Sequence, residues 1–346
     1  MPTDKIAALQ RLPQVAETWQ VAWTCLRTWI TPPGQPPYRP YLMLVVNLDG
    51  PPIVQQEIVL QPPAAEQVRD FLRQAMLAPA AGAGRPRRPT AVEIAEETLA
   101  QALAPELAQL GIRGVQAVTP ELFQIVADLE EHIAGRKFPP GLLETPGVTP
   151  EQVGGLFAAA AFFYRQAPWR FLTDSDTLAV CCPAQGGKLR YTVVMGNAGL
   201  AYGLAVYDSW SDLQKVYQGT PPKRLARQMN AQSLLYEQIT AVPFADLDAL
   251  EQYGWEVAGP AAYPVPVIVT RRSRVERPEA DQLAWYEAVL RAIPPFVHDH
   301  LRPGLGHLRP AEATLTVPTV NGEVAVYLEY PAIPPAPSLI PRRRRS

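Results

Sequence analysis

Three of the four histidines stand together in "FVHDHLRPGLGH": His298, His300 and His307, with Asp299 among them. Imidazoles and a carboxylate are zinc ligands. The spacing matches no standard metal motif, and residues two apart leave a helix on different faces. The stretch therefore also reads as a helix end, where histidine complements the dipole. "VEIAEE" crowds Glu93, Glu96 and Glu97 at a strand-to-helix turn. Acids in a helix's first turn offset the positive end of its dipole. Arg85, Arg87 and Arg88 in "RPRR" and Arg342 to Arg345 in the tail are the dense basic clusters. Arginines hold phosphates, but they also keep loops and tails soluble. Cys181 and Cys182 adjoin in an apolar stretch, which points their side chains to opposite faces of a strand. No nearby positive group marks either as a reactive thiolate. "VVMGNAGLAYG" is glycine-rich but hairpin-like, without the strand-to-helix context of a phosphate cradle. No cofactor is expected.

These residues need elements to hold them. The 346 residues suggest two or three domains. The net charge of −2 supplies no global field for nucleic acid, so such binding is possible but not favoured by charge. Three cysteines make no disulfide framework, which predicts a reducing, cytoplasmic setting. No apolar run is long enough to span a bilayer, and "GGLFAAAAFFY" reads as a buried helix. The 39 prolines punctuate the chain. They mark a domain at 1–138, a Pro/Gly-rich linker at 139–148, a second domain at 149–332 and a disordered Pro/Arg tail at 333–346.

Hydrophobic period gives the first half the order βββαβαβα. "WQVAWTCLRTWI" alternates as a half-buried strand, and "YLMLVVNL" is continuous, as a central strand should be. "DGPP" turns the chain into "IVQQEIVL". "AAEQVRDFLRQAML" has helical spacing. "AVEIA" is a strand, Glu96 to Leu110 a helix stopped by Gly111, and "RGVQAV" a strand. "TPELFQIVADLEEHI" opens a helix on Thr119 and Pro120. Trp19, Trp23, Val45, Val46, Ile58, Phe71, Leu107 and Ile112 are expected in one core. The second half opens on the helix "PEQVGGLFAAAAFFYRQ". It continues through antiparallel strands with the helices "WSDLQKVYQ" and "PEADQLAWYEAVLRAI". The fold class is α/β in the first domain and α+β overall.

Residues 19 to 134 resemble the ribonuclease-H-like core of integrases and transposases. The likeness rests on "WQVAW", on the hairpin "YLMLVVNLDGPPIVQQEIVL", and on "AVEIAEE" followed by a helix and Leu110-Gly111-Ile112. That family places an acid three residues after the first-strand Trp; here Trp19 is followed by Ala22. Its second acid falls at Ala95 or Glu96, and its last at Glu130 or Glu131. Those acids must converge to hold two divalent metals for phosphoryl transfer. Glu93, Glu96 and Glu130 are the residues that would carry such chemistry here, and Ala22 removes the central ligand. The second half resembles an uncharacterised bacterial domain family through "AAAFFYRQAPWRFLTDSDTLAV" and "YGWEVAGPAAYPVP". The expectation is a binding or regulatory protein on a degenerate nuclease-like fold, with no catalysis and with a protein partner possible. A divergent metal-dependent nuclease and a protein-interaction scaffold are the alternatives.

Overall fold

The computed structural model describes residues 2–135, 137–271, 274–305 and 307–332. The tail expected to be disordered, with Arg342 to Arg345, lies outside the described residues. The chain divides into two compact units, 1–138 and 139–346.

The first unit contains α1 (Pro2–Gln10), β1 (Gln14–Cys25), β2 (Tyr41–Asn47), β3 (Ile53–Val59), α2 (Ala65–Leu77), β4 (Arg88–Ile94), α3 (Glu97–Gln109), β5 (Arg113–Gln116) and α4 (Pro120–Ala134). The expected βββαβαβα order is present, preceded by α1, whose Leu9 is fully buried. The five strands lie in the order β3-β2-β1-β4-β5. β1 to β3 are antiparallel, while β4 and β5 run parallel to β1. That pattern follows from the connections: residues 26–40 and a short turn after Asn47 return the chain between antiparallel neighbours, and helices carry it to the parallel strands.

Both faces of this sheet are covered. Trp19, Val21, Val45, Val92 and Ile94 pack with α2 and α3 residues such as Phe71, Leu103 and Leu107. Ala22, Leu42, Leu44 and Val46 face α4 through Leu122 and Val126. The expectation of a single core is corrected here. Val45 and Val46 are consecutive in a strand, so one points to each face. Ile58 sits on the outermost strand β3 and stays 61% exposed. Trp23 is only partly buried against the α2–α3 side.

The second unit contains α5 (Pro150–Gln166), β6 (Thr177–Cys181), β7 (Arg190–Met195), β8 (Tyr202–Tyr207), α6 (Trp210–Tyr217), α7 (Pro222–Gln228), β9 (Ala231–Glu237), α8 (Phe244–Tyr253), β10 (Tyr263–Val269), β11 (Val275–Glu276), α9 (Ala280–Asp299), β12 (Ala311–Thr319) and β13 (Gly322–Tyr330). Its eight strands follow the order β11-β10-β9-β8-β7-β6-β13-β12. Each ladder is antiparallel. α5 and α9 cover one face, burying Phe157, Phe163, Tyr286 and Phe296 with Leu178, Val194, Leu204, Leu234 and Val326. α5 begins on a capping box, Thr149 with Gln152. Two of β10's seven residues are prolines, Pro264 and Pro266. Gly203 in β8 has φ +150, and a Cβ there would stand 2.0 Å from the Leu234 carbonyl oxygen, so only glycine lets β9 approach this closely.

Residues 139–148 do not form a free tether along their whole length. Leu142 is 1% exposed within the second unit's core. Its N–H donates to Asp246 Oδ1 on α8 at 2.6 Å. Asp246 also forms a buried ion pair with Arg277. Leu143 and Val148 pack against the same core, so apolar side chains anchor a segment whose Pro/Gly composition suggests a linker. We expect trypsin to cut first after Lys137, which is exposed and outside any element. The products would be fragments of about 15 and 23 kDa at roughly 110 Da per residue. First cleavage inside α5 would overturn this division.

Candidate functional site

β1 lies at the centre of the first sheet, so each of its side chains meets one covering layer or the other. Gln20 is the exception to its apolar run. It faces α4 and is only 1% exposed. A buried amide must satisfy both its ends. Gln20 Oε1 accepts the Leu122 N–H at 3.2 Å, and Nε2 donates to Glu93 Oε2 at 3.0 Å and Glu121 Oε2 at 2.8 Å. Glu93 is in register with Gln20 on the parallel strand β4. One neutral side chain thus ties β1, β4 and the start of α4 together, with its –NH2 between two carboxylates.

The start of α4 has no spare donors for an anion. Pro120 lacks an N–H, the Leu122 N–H goes to Gln20, and the Glu121 N–H goes to that residue's own carboxylate. The Gln20 amide, and then that backbone N–H, hold the Glu121 carboxyl below its ordinary pKa. Thr119 occupies the expected N-cap position, but its hydroxyl makes no capping bond and is buried without a partner. Beside it an open hollow of about 300 Å³ is lined by Ala95, Gln116, Ala117, Val118, Thr119 and Phe123. It sits at the carboxyl ends of β4 and β5, where sheets with parallel strands generally bind ligands. Val118 and Phe123 are 83% and 46% exposed, so its wall is largely apolar.

The acids singled out from the sequence are dispersed. Glu93 joins the Gln20 cluster. Glu96 is at the N-cap of α3, hydrogen-bonded to the Thr98 hydroxyl. Glu130 is buried further along α4 and accepts the Arg27 N–H at 2.6 Å. Nine residues separate it from Glu121, about 13 Å along a helix. Asp49 is turned to the Thr18 N–H at 2.7 Å. Ala22 is buried among Leu42, Leu122 and Val126. The β1–β4 ladder ends with Val21 opposite Ile94, so Ala22 is the first residue of β1 beyond it. Among the described residues no group of three or more His, Cys, Asp or Glu side chains could hold a metal ion.

The basic and histidine clusters also come apart. Arg87 is 8% exposed; it pairs with Glu17 at 2.8 Å and stacks over Trp19, 5.3 Å from the ring centre. Arg88 turns inward to the Leu12 and Leu110 carbonyls. Arg85 remains exposed. His298 bonds its neighbour Asp299 at 2.6 Å in the open, His300 stacks on Phe296, and His307 is exposed. Cys182 is buried, and desolvation raises its thiol pKa to about 12. Cys25, Cys181 and Cys182 take part in no disulfide.

Each unit matches a family model. Residues 5–130 match Domain of unknown function (DUF6930), and residues 154–292 match Domain of unknown function (DUF7309). No curated protein matches the chain.

Proposed function

We propose that the chain is a non-catalytic binding or regulatory protein, with a ribonuclease-H-like first unit that has given up metal chemistry. The observation that carries this is Gln20. Its amide nitrogen lies between the Glu93 and Glu121 carboxylates, where a cation would otherwise be needed to hold two acids together. An amide cannot supply the charge that divalent metals require. The β3-β2-β1-β4-β5 order, with β4 and β5 parallel to β1, supports the family resemblance. The hollow at the strand ends is the binding surface in this reading. Cysteines outside any disulfide fit a cytoplasmic setting, and among the described residues no helix is long and apolar enough to cross a membrane. A bacterial origin rests on the resemblance of the second half alone.

Manganese titration of the intact protein and of Gln20→Glu tests this reading. The wild-type melting temperature should not respond to the metal. Gln20→Glu should be less stable without metal, because three carboxylates then meet, and should regain stability as manganese is added. Manganese- or magnesium-dependent cleavage of a labelled oligonucleotide by the wild type would overturn the proposal in favour of phosphoryl transfer.

A further inference from the structure

The face of the second sheet that α9 covers turns polar at one end. Alternation along β7 sends Arg190, Thr192 and Val194 to this face, where Val194 joins the core. Thr192 stands across from Val206 of β8, and Val206 across from Gln232 of β9. Asp208, just past the end of β8, takes the Gln232 amide on Oδ2 at 3.4 Å. Trp285 and Tyr286 of α9 close over these residues. The Arg190 guanidinium lies over the Trp285 ring, 4.8 Å from its centre. The Tyr286 phenol is near enough to Arg190 and Asp208 to feel both charges.

Buried polar atoms normally find partners. Here Thr192 Oγ1, Trp285 Nε1, the Tyr286 hydroxyl and Arg190 Nε are enclosed and have no hydrogen-bond partner. Thr192, Trp285 and Tyr286 are 0%, 2% and 1% exposed. Lys188 Nζ and Arg190 Nε come within 3.0 and 3.4 Å of Asp208 Oδ1, but neither is aligned to donate to it. Burial pushes the Tyr286 phenol above its ordinary pKa, against the pull of Arg190, so it stays protonated and can donate. The unpartnered set is therefore rich in donors. An indole N–H and a guanidinium N–H can only donate, and the two hydroxyls can do so as well. Two bases, Lys188 and Arg190, face the single acid Asp208. The side chains of Lys188 and Asp208 are partly exposed, so the cluster reaches solvent on their side.

We propose that this cluster binds a small oxyanion, a carboxylate or phosphate group held by Arg190, Thr192, Trp285 and Tyr286. Such a group carries several acceptor lone pairs on one centre, which suits neighbouring donors, and a guanidinium pairs well with either kind. Its charge offsets the base that Asp208 leaves unmatched. An interior with no ligand would keep these donors unpaired, and each unpaired buried group costs stability. The site belongs to the second unit and stands whatever the hollow of the first unit binds.

Calorimetric titration of the full-length protein with sodium acetate and with sodium phosphate tests it, at an ionic strength held constant with chloride. Saturable one-site binding of either anion is the expected result, and the tighter of the two tells a carboxylate site from a phosphate site. Tyr286→Phe and Thr192→Val keep the shape of the side chain and remove one hydroxyl each. Each should weaken binding about tenfold, the scale of one hydrogen bond to a charged group. Without anion both variants should melt no lower than the wild type, because each loses an unpaired buried hydroxyl. If neither anion binds saturably, the cluster holds ordered water only and the proposal fails. Equal affinity in the wild type and both variants would also overturn it, since the anion would then sit elsewhere on the protein.

Discussion

Trp19→Ala should destabilise the first unit by about 3–5 kcal/mol, the range for losing a large buried aromatic. Trp19 is fully buried in the layer between the sheet and α2–α3. Its ring carries the Arg87 guanidinium, and its Nε1 donates to Glu17 Oε2 at 2.8 Å, the same oxygen that Arg87 binds. Truncation leaves a cavity and also strips the ring from a nearly buried cation. Trp19→Phe keeps most of the contact area and should cost clearly less. Urea unfolding of both variants, followed by circular dichroism, measures the difference. A loss below about 1 kcal/mol for Trp19→Ala, typical of surface positions, would mean that this ring does not hold the layer together.

Asp246→Ala should cost the second unit a similar amount, about 3–5 kcal/mol, because it breaks a buried pair from one side only. The side chains of Asp246 and Arg277 are 5% and 7% exposed. Burial pushes the Asp246 carboxyl above its ordinary pKa, ahead of the opposing pull of Arg277, and pushes Arg277 below its own. The pair is therefore costly to bury, and more costly to leave half made. Removing the carboxylate also orphans the Leu142 N–H. Asp246→Asn can keep that bond while losing the charge, and thermal unfolding of the two variants separates the contributions. If Asp246→Ala unfolds at the wild-type temperature, the pair contributes no net stability.

The sheet of the first unit was legible because its pattern is strong. β2 is continuously apolar, which is what a strand covered on both faces requires, and α2, α3 and α4 follow from spacing and terminal residues. Short elements were harder. α8 is ten residues long and has no counterpart among the helices that spacing marks in the second half. In the sequence the acids stand out, since those bind metals, with Ala22 as the missing one. The informative residue was its neighbour but one. A glutamine flanked by Trp19 and Val21 in a central strand is a polar group committed to burial, and such a group needs partners. The sequence could raise that question. The answer needed the fold, because Glu93 and Glu121 are 73 and 101 residues away.

Pro264 and Pro266 bear on whether another chain can extend the sheet beyond β10. The ladder of β10 with β9 is unbroken from Tyr263 to Val269, so the donors these prolines lack fall on the side away from β9. There β11 pairs only with Ile268 and Val269. Most of that margin would otherwise offer N–H groups to any extended chain that drifted past. The two prolines make it a poor template for fibril growth. Replacing both with valine would give this margin the donors to recruit strands from neighbouring molecules.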